Sequence, residues 1–328
     1  MSPTAARPAE VGVHAADLDL PVRLEETLTA FLDRRRAGAA AIDPAFGAAA
    51  GDLCEFVLGG GKRIRPTFAW WGWRGAGGDP DGPAFDAVLR AVSALELIQA
   101  CALVHDDLMD ASATRRGRPT VHVAYARRHA DAAWRGRPAR FGAAAAILLG
   151  DLALVWADDM LRGAGLDADA AARAAAPWEA MRTEVLGGQY LDVFVQSTGD
   201  SSARAALQID RYKTAAYTVE RPLHLGAAIA CADPDLVACY RRFGADIGVA
   251  FQLRDDLLGV FGDPAVTGKP AGDDLREGKR TLLLALAVEQ RIAALTGSAL
   301  DALAAAPVAE PAASRLADLA VAATRRHR

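Results

Sequence analysis

The chain has 328 residues, of which 52% are hydrophobic, and its formal net charge is −4. This length allows one large core or two domains of ordinary size, and the mildly acidic balance argues against a nucleic-acid-binding protein. Many of the apolar residues are alanine, the strongest helix former, so the composition favours helices.

The N-terminal sequence and the cysteines predict a cytoplasmic protein. Residues 1–20 are rich in Ala and Pro and lack a basic segment followed by an apolar one, so we expect a flexible tail there and not a signal peptide. A single domain is expected over residues 21–328. None of the four cysteines has metal-like spacing, and three lie in apolar runs, which predicts free thiols in a reducing compartment.

Helical periodicity dominates the rest of the chain, and hairpin signals are scarce. Helices are predicted over Val22–Arg36, Ala45–Leu58, Phe85–Asp110, Gly142–Gly163, Ala168–Leu186, Ala203–Cys231, Pro234–Phe261 and Arg280–Leu295. Phe141–Leu161 is the longest apolar stretch, but aspartates interrupt it, so we interpret it as a buried core helix and not as a membrane span. The predicted fold class is therefore all-α.

The strongest functional signal is the sequence His105-Asp106-Asp107-Leu108-Met109-Asp110 at the end of a long apolar helix. Asp106 and Asp110 are four residues apart, which places both carboxylates on one helix face. Hard cations such as Mg²⁺ bind carboxylate oxygens while leaving room for substrate phosphates. A solvated acidic helix end is the alternative interpretation of this motif alone.

A second acidic pair, Asp255-Asp256, follows another apolar helix and makes the purely structural interpretation less favourable. Basic residues lie near both pairs in the sequence. They occur in Gly59-Gly60-Gly61-Lys62-Arg63-Ile64-Arg65-Pro66, in Arg115-Arg116-Gly117-Arg118, at Lys213, and at Lys269, Lys279 and Arg280. Glycine lets a phosphate approach the backbone and arginine binds phosphate in a bidentate way, so together these clusters suit two diphosphates.

These motifs resemble the trans-polyprenyl diphosphate synthase family, which has the isoprenoid synthase fold. The similarity runs from about Gly59 to Leu284, with GGGKRIRP, HDDLMDASATRRGRPTVH, GQYLD, YKT, FQLRDD and GKPAGDDLREGKRT in the family's order. The resemblance implies a single helical bundle around a deep central cavity, usually as a homodimer. It implies a Mg²⁺-dependent, head-to-tail condensation of isopentenyl diphosphate with an allylic diphosphate through an allylic carbocation.

The resemblance also implies residue roles. Asp106 and Asp110 would bind two Mg²⁺ ions and Asp255 a third, with Asp107 and Asp256 as further ligands or supports. The allylic diphosphate would be held by Arg115, Lys213, Gln252 and Lys269. Isopentenyl diphosphate would be held by Gly61, Lys62, Arg65, Gln99 and Arg116. Gln189, Asp192 and Thr214 would line the cavity near the reacting carbons, and Lys279 belongs to the same substrate-binding set.

Two departures from the family pattern concern the second half of the chain. The last position of the second acidic motif is Gly259 where an aspartate is usual, which affects the third metal site. The part after Leu284 is shorter than in typical members, and its junction resembles two family segments joined with a stretch missing.

The residues before the first acidic motif predict the product length. Cys101, Ala102 and Ile98 are expected to share roughly the same helix face as Asp106. Ala102 lies one helical turn from Asp106, and Ile98 lies about 12 Å along the helix. In the family, aromatic residues at positions 101 and 102 are typical of C15-forming members, whereas Cys101 and Ala102 are small. With Ile98 as a partial floor of the cavity that holds the growing prenyl chain, we expect geranylgeranyl diphosphate (C20) as the product. Longer products of C25 or more and a non-catalytic regulatory subunit are the alternatives, and a class I terpene cyclase is disfavoured because it would not need GGGKRIRP.

Overall fold

The part of the chain that the structure describes consists of helices and their connections, with one short hairpin, which confirms the all-α prediction. The structure, a computed structural model, describes residues 14–200, 202–261 and 278–325. The elements in chain order are α1 (Ala15–Leu18), α2 (Leu20–Ile42), α3 (Pro44–Leu58), α4 (Ile64–Gly75), α5 (Phe85–Met109), β1 (Thr114–Arg115), β2 (Arg118–Pro119), α6 (Val121–Asp131), α7 (Pro138–Arg162), α8 (Ala168–Thr198), α9 (Ala203–Ile209), the π-helix π1 (Asp210–Glu220), α10 (Arg221–Ile229), α11 (Pro234–Phe261), α12 (Gly278–Ala304) and α13 (Ala312–Thr324).

Helix α5 is the central element of the bundle. It contacts α2, α4, α7 and α8, and Val88, Ala91 and Leu95 are fully buried. A helix that is apolar on every side must be covered by neighbours, which is the pattern that the sequence shows here. The acidic motif occupies its C-terminal turn.

Capping residues explain both ends of α8. The Asp167 side chain accepts a hydrogen bond from the Ala170 backbone N–H at 2.7 Å and so caps the start of α8. The same helix ends at Gly199, which adopts a left-handed conformation with φ of 70°. Helix α8 thus extends twelve residues beyond the predicted end at Leu186 and carries the GQYLD motif inside it.

Four of the described helices were not predicted from the sequence: α1, α4, α6 and α13. Helix α4 contains three tryptophans and a phenylalanine, which are mediocre helix formers. Trp70 and Phe68 are nevertheless almost completely buried, so tertiary packing decides the conformation. The hairpin β1–β2 was also missed because each strand has only two residues.

The prediction of one regular α-helix over Ala203–Cys231 is wrong. It is divided into α9, an eleven-residue π-helix, and α10. A π-helix is wider than an α-helix and usually occurs at functional sites. Close packing accompanies it, since a Cβ atom at Gly188 would lie 2.2 Å from the Lys213 backbone nitrogen. Only glycine lets α8 approach π1 so closely.

The predicted flexible tail over residues 1–20 is too long. Residues 15–18 form α1, and Asp17 is buried against α4. Its carboxylate accepts hydrogen bonds from Trp70 Nε1 at 2.8 Å and from Arg74 Nε at 3.1 Å. These bonds hold the start of the chain on the bundle. Residues 1–13 lie outside the described residues.

Helix α7 contains the long apolar stretch predicted to be a buried core helix, and that prediction is only half right. Among the described residues, α5 and α7 are long and apolar enough to span a membrane, but 78% of the apolar window of α5 is buried and only 39% of that of α7. One face of α7 packs against α5, whereas Ile147, Leu148 and Val155 on another are 48%, 67% and 56% exposed. The apolar pattern of a helix does not show whether an apolar face packs against another helix of the same chain or lies on the surface.

Candidate active site

The first acidic motif forms the C-terminal end of α5. Asp110 is the C-cap residue, and its backbone N–H donates to the Asp106 carbonyl at 2.9 Å, so both carboxylates stay on one face as predicted. Partial burial raises the pKa of Asp110, and the negative charge of Asp106 raises it further. A cation shared by the two carboxylates would relieve this repulsion.

Lys213 joins the motif to two other elements. Its Nζ lies 2.8 Å from Asp106 Oδ1 and also pairs with Asp192 of the GQYLD motif on α8. Burial alone would lower the pKa of Lys213, but its hydrogen bonds to the two carboxylates outweigh this and raise it. The π-helix therefore presents a permanently charged ammonium at the acidic motif. Gln189 lies nearby, with Nε2 3.5 Å from Met109 Sδ.

Asp107 differs from its two neighbours in the motif. Its side chain is 3% exposed, and both its oxygens contact Arg115, at 2.8 Å from Nε and 2.8 Å from Nη2. Arg115 follows the motif in β1, and its Nη2 is 3.6 Å from Asp106. Both oxygens of Asp107 hold Arg115 beside the motif, which favours the supporting role over that of a metal ligand. The assignment of Asp107 stays a prediction.

The second acidic motif lies on α11. Gln252 Nε2 donates to Asp256 Oδ1 at 2.8 Å. Desolvation raises the pKa of Asp256, although the Gln252 hydrogen bond acts against it. Asp255 and Gly259 lie on the same helix.

Asp210 is an acidic residue that the sequence analysis missed. It begins π1, and desolvation, with the charges of Asp256 and Asp192, raises its pKa to about 6. It thus connects the surroundings of the two acidic motifs electrostatically. Its position three residues before Lys213 was the only sequence signal.

The oxygen ligands at these motifs suit Mg²⁺. Within the described ranges, no set of three or more Asp, Glu, His or Cys side chains converges to enclose a metal. Mg²⁺ does not require such a cage, since it is commonly held by one or two carboxylates, waters and substrate phosphates. The mutual repulsion of Asp106 and Asp110 also favours a divalent ion. The residues present therefore fit this metal.

The glycine loop between α3 and α4 faces a second set of cations. Arg116 donates from Nη1 to the Gly60 carbonyl, and a Cβ atom at Gly61 would lie 3.5 Å from Arg116 Nη2. Gly60 and Gly61 have backbone φ angles of 98° and 152°, which residues other than glycine rarely adopt. Lys62 is exposed on this loop. The predicted phosphate-binding loop and the arginine after the acidic motif are thus brought together.

Tyr217 is a second residue that the sequence analysis missed. Its ring stacks under the Arg65 guanidinium, 4.0 Å from the ring centroid, and its hydroxyl donates to Gln99 Oε1 at 3.1 Å. Arg65 also donates to Thr218 Oγ1 at 2.8 Å. Tyr217 therefore orients two of the predicted isopentenyl diphosphate ligands at once. Thr214 lies one turn before it on π1 and is half-buried.

Two predicted substrate-binding residues lie beyond the described part. Lys269 is outside the described residues, and so is the side chain of Lys279 at the start of α12. Their roles remain predictions.

The three predicted chain-length residues divide between two sides of α5. Ile98 is 2% exposed and Ala102 packs against the core. Cys101 turns toward α7, with Sγ 3.7 Å from His105 Nδ1, while His105 Nε2 lies 3.2 Å from the Ile147 carbonyl. The expectation that Cys101 shares the face of Asp106 is wrong, because five residues correspond to a rotation of about 140°.

Comparisons with known proteins find related sequences and structures. A family profile described as polyprenyl synthetase matches residues 50–308. A geranylfarnesyl diphosphate synthase of Aeropyrum pernix is 35% identical over 73% of this chain and 70% of its own length. A geranylgeranyl diphosphate synthase of Mycobacterium tuberculosis is 37% identical over 72% of this chain and 61% of its own length. The chain thus spans about two thirds of these relatives.

A solved structure of similar shape covers nearly the whole chain. It is the geranylgeranyl pyrophosphate synthase of Corynebacterium glutamicum, complexed with isoprenyl diphosphate and magnesium. The TM-score is 0.87 with 45% sequence identity, and the alignment covers 94% of this chain and 99% of that one.

Proposed function

Because this chain belongs to the polyprenyl synthetase family, whose named relatives are prenyltransferases, we propose that it condenses isopentenyl diphosphate head-to-tail with an allylic diphosphate. The main product proposed is geranylgeranyl diphosphate. The observation that carries the proposal is the ion pair of Lys213 with Asp106, which places a phosphate-binding cation against a metal-binding carboxylate.

Chain residues on the allylic side hold and neutralise the leaving group. Asp106 and Asp110 would hold two Mg²⁺ ions and Asp255, supported by Asp256, a third; these ions supply Lewis-acid stabilisation of the departing diphosphate when bound. Lys213, Arg115 and Gln252 donate to its oxygens. Asp107 keeps the Arg115 guanidinium in place for this contact.

On the opposite side, the glycine loop binds isopentenyl diphosphate without metal. Lys62, Arg65 and Arg116 provide the positive charges, and Gly61 lets the phosphate approach the backbone. Gln99 and Arg65, oriented by Tyr217, fix the substrate so that its double bond faces the allylic carbon. Fixing two reactants in this way is a large part of the rate enhancement. After the double bond has attacked the allylic carbon, the condensed product loses a proton, which passes to the departing diphosphate.

The residues along α5 support a product of C20. Ala102 leaves space one turn from Asp106, and the buried Ile98 closes it one turn further. The names of similar proteins include both geranylgeranyl and geranylfarnesyl diphosphate synthases, so a C25 product is the second candidate.

We further propose a cytoplasmic homodimer with no membrane span. The exposed apolar residues Ile147, Leu148 and Val155 lie on one face of α7, where water would otherwise contact them. A two-fold dimer buries the same face of both copies. The acidic composition gives no support to a nucleic-acid partner.

Product analysis tests the function. The purified chain is incubated with Mg²⁺, labelled isopentenyl diphosphate and C5, C10 or C15 allylic diphosphates, and the dephosphorylated alcohols are separated by length. A dominant C20 alcohol supports the proposal, and C25 or longer products would move the floor beyond Ile98. Absence of elongation with every starter would favour a non-catalytic regulatory subunit.

A further inference from the structure

A basic surface surrounds the connection between α6 and α7. Residues 127–140 contain five arginines and one aspartate in a chain whose net charge is negative. Arg128 is paired with Asp52 at 2.9 Å. The other four, Arg127, Arg135, Arg137 and Arg140, are exposed and form no ion pair with any residue that the structure describes. We call these four residues and Trp134 the arginine surface.

Trp134 gives this surface an apolar centre. It is 49% exposed, and its ring packs edge-on against Phe141, with centroids 5.2 Å apart. Phe141, at the start of α7, is itself 37% exposed. A half-exposed indole among arginines is typical of surfaces that lie at a lipid–water interface, where the ring enters the headgroup layer.

The connection is held in a defined shape. The buried His129 ring bonds the Arg135 carbonyl through Nε2 at 3.0 Å, and the Trp134 backbone N–H donates to the His129 carbonyl at 3.2 Å. The His129 ring also contacts Trp134, at 5.9 Å between centroids. The arginines and the indole therefore keep fixed relative positions.

The arginine surface lies at the end of the bundle that carries the acidic motif. His105, beside Asp106, contacts the Ile147 carbonyl of α7, and the antiparallel α7 begins about 13 Å further out, at Pro138. This position is next to, and distinct from, the exposed apolar face formed by Ile147, Leu148 and Val155.

We propose that the arginine surface docks the protein on an anionic phospholipid bilayer. The four unpaired guanidinium groups complement lipid phosphates, and each arginine near an anionic membrane adds to the affinity. The exposed rings of Trp134 and Phe141 favour a bilayer over a nucleic acid, since they add apolar contact beside the charges. The inference goes beyond the proposed catalytic function and does not depend on it.

Vesicle co-sedimentation tests the proposal. The full chain is mixed with phosphatidylcholine vesicles with or without phosphatidylglycerol, at rising salt. The variant R127Q/R135Q/R137Q/R140Q is compared with a control of equal charge change at exposed arginines elsewhere, R34Q/R204Q/R242Q/R325Q. We expect salt-sensitive binding only to the anionic vesicles, weakened on the order of 100-fold in the first variant and kept in the control. W134F should bind with a smaller loss.

Several results would overturn the proposal. They are no binding to anionic vesicles, equal binding to neutral ones, and equal losses in both quadruple variants. A changed oligomeric mass of R127Q/R135Q/R137Q/R140Q would instead assign the surface to contact between copies. Retention of the protein on RNA but not on vesicles would assign it to nucleic acid.

Discussion

Arg63 Nη1 lies 2.6 Å from Glu96 Oε2, and the two side chains are only 7% and 8% exposed. Nη2 of the same guanidinium lies 2.7 Å from Glu25, and Nη1 also donates to the Val57 carbonyl at 2.9 Å. Arg63 itself has a left-handed backbone with φ of 48° at the start of α4. The pair therefore fastens the glycine loop to the turn of α5 that carries Gln99.

Breaking this pair should weaken the binding of isopentenyl diphosphate selectively. Arg63→Met leaves Glu96 buried and unpaired, which costs about 3 to 5 kcal/mol of stability, so Arg63→Lys serves as the milder variant. In Arg63→Lys we expect KM for isopentenyl diphosphate to rise roughly 10-fold, because one guanidinium no longer bridges both carboxylates. KM for the allylic substrate should not change. Equal rises in both KM values, with Tm retained, would contradict a positioning role.

The second prediction separates Asp107 from Asp106. Because both oxygens of Asp107 contact Arg115, Asp107→Asn should raise KM for the allylic diphosphate about 10-fold through the loss of a charge-assisted contact. The Mg²⁺ concentration for half-maximal rate should stay the same. Asp106→Asn is the matched variant and should raise that concentration sharply. If both variants change the Mg²⁺ requirement equally, Asp107 is a ligand.

The third prediction concerns product length. Ala102→Phe fills the space one turn from Asp106, so the main product should shorten to C15 or less. Ala102→Ser is the size-matched control and should keep C20. Ile98→Ala should lengthen the product and also lower the free energy of unfolding by about 2 to 5 kcal/mol, because Ile98 is buried. Unchanged product lengths in Ala102→Phe and Ile98→Ala would place the floor on another helix.

The fourth prediction tests the exposed face of α7. Leu148→Glu should convert a dimer into a monomer in light scattering, since a charge would be buried at the two-fold contact. Ile42→Glu changes another exposed apolar residue, 77% exposed at the end of α2, and should leave the mass unchanged. A dimer that survives Leu148→Glu would exclude this face as the interface.

The fifth prediction is a pH effect on stability. Burial, and then the charges of Arg221 and Arg241, lower the pKa of His224 from 6.5 to about 4. The unfolded chain therefore binds more protons than the folded one between these values, and stability is lost as the pH falls from about 6.5 to 4. His224→Gln should remove up to about 3 kcal/mol of this loss, measured as the free energy of unfolding at each pH. Parallel curves for the two proteins would show that His224 titrates normally.

The sequence predicts best what depends on short spacing along a helix. Asp106 and Asp110 share a face because four residues make about one turn, and the structure agrees. Contacts between distant segments were not predictable in this way: Tyr217 reaches Gln99 across 118 positions. Nor does periodicity distinguish a π-helix from an α-helix, so the surroundings of Lys213 were described only in part. Spacing also did not show that the Asp107 side chain contacts Arg115, the observation on which its predicted supporting role now rests.

The most direct test of catalysis is the release of inorganic diphosphate from a C15 allylic diphosphate and isopentenyl diphosphate. We expect one diphosphate released per isopentenyl diphosphate consumed, only when Mg²⁺ is present, and a loss of this release in Asp106→Asn/Asp110→Asn. Consumption of neither substrate by the folded protein with Mg²⁺, or release of diphosphate without consumption of isopentenyl diphosphate, would contradict the proposed condensation.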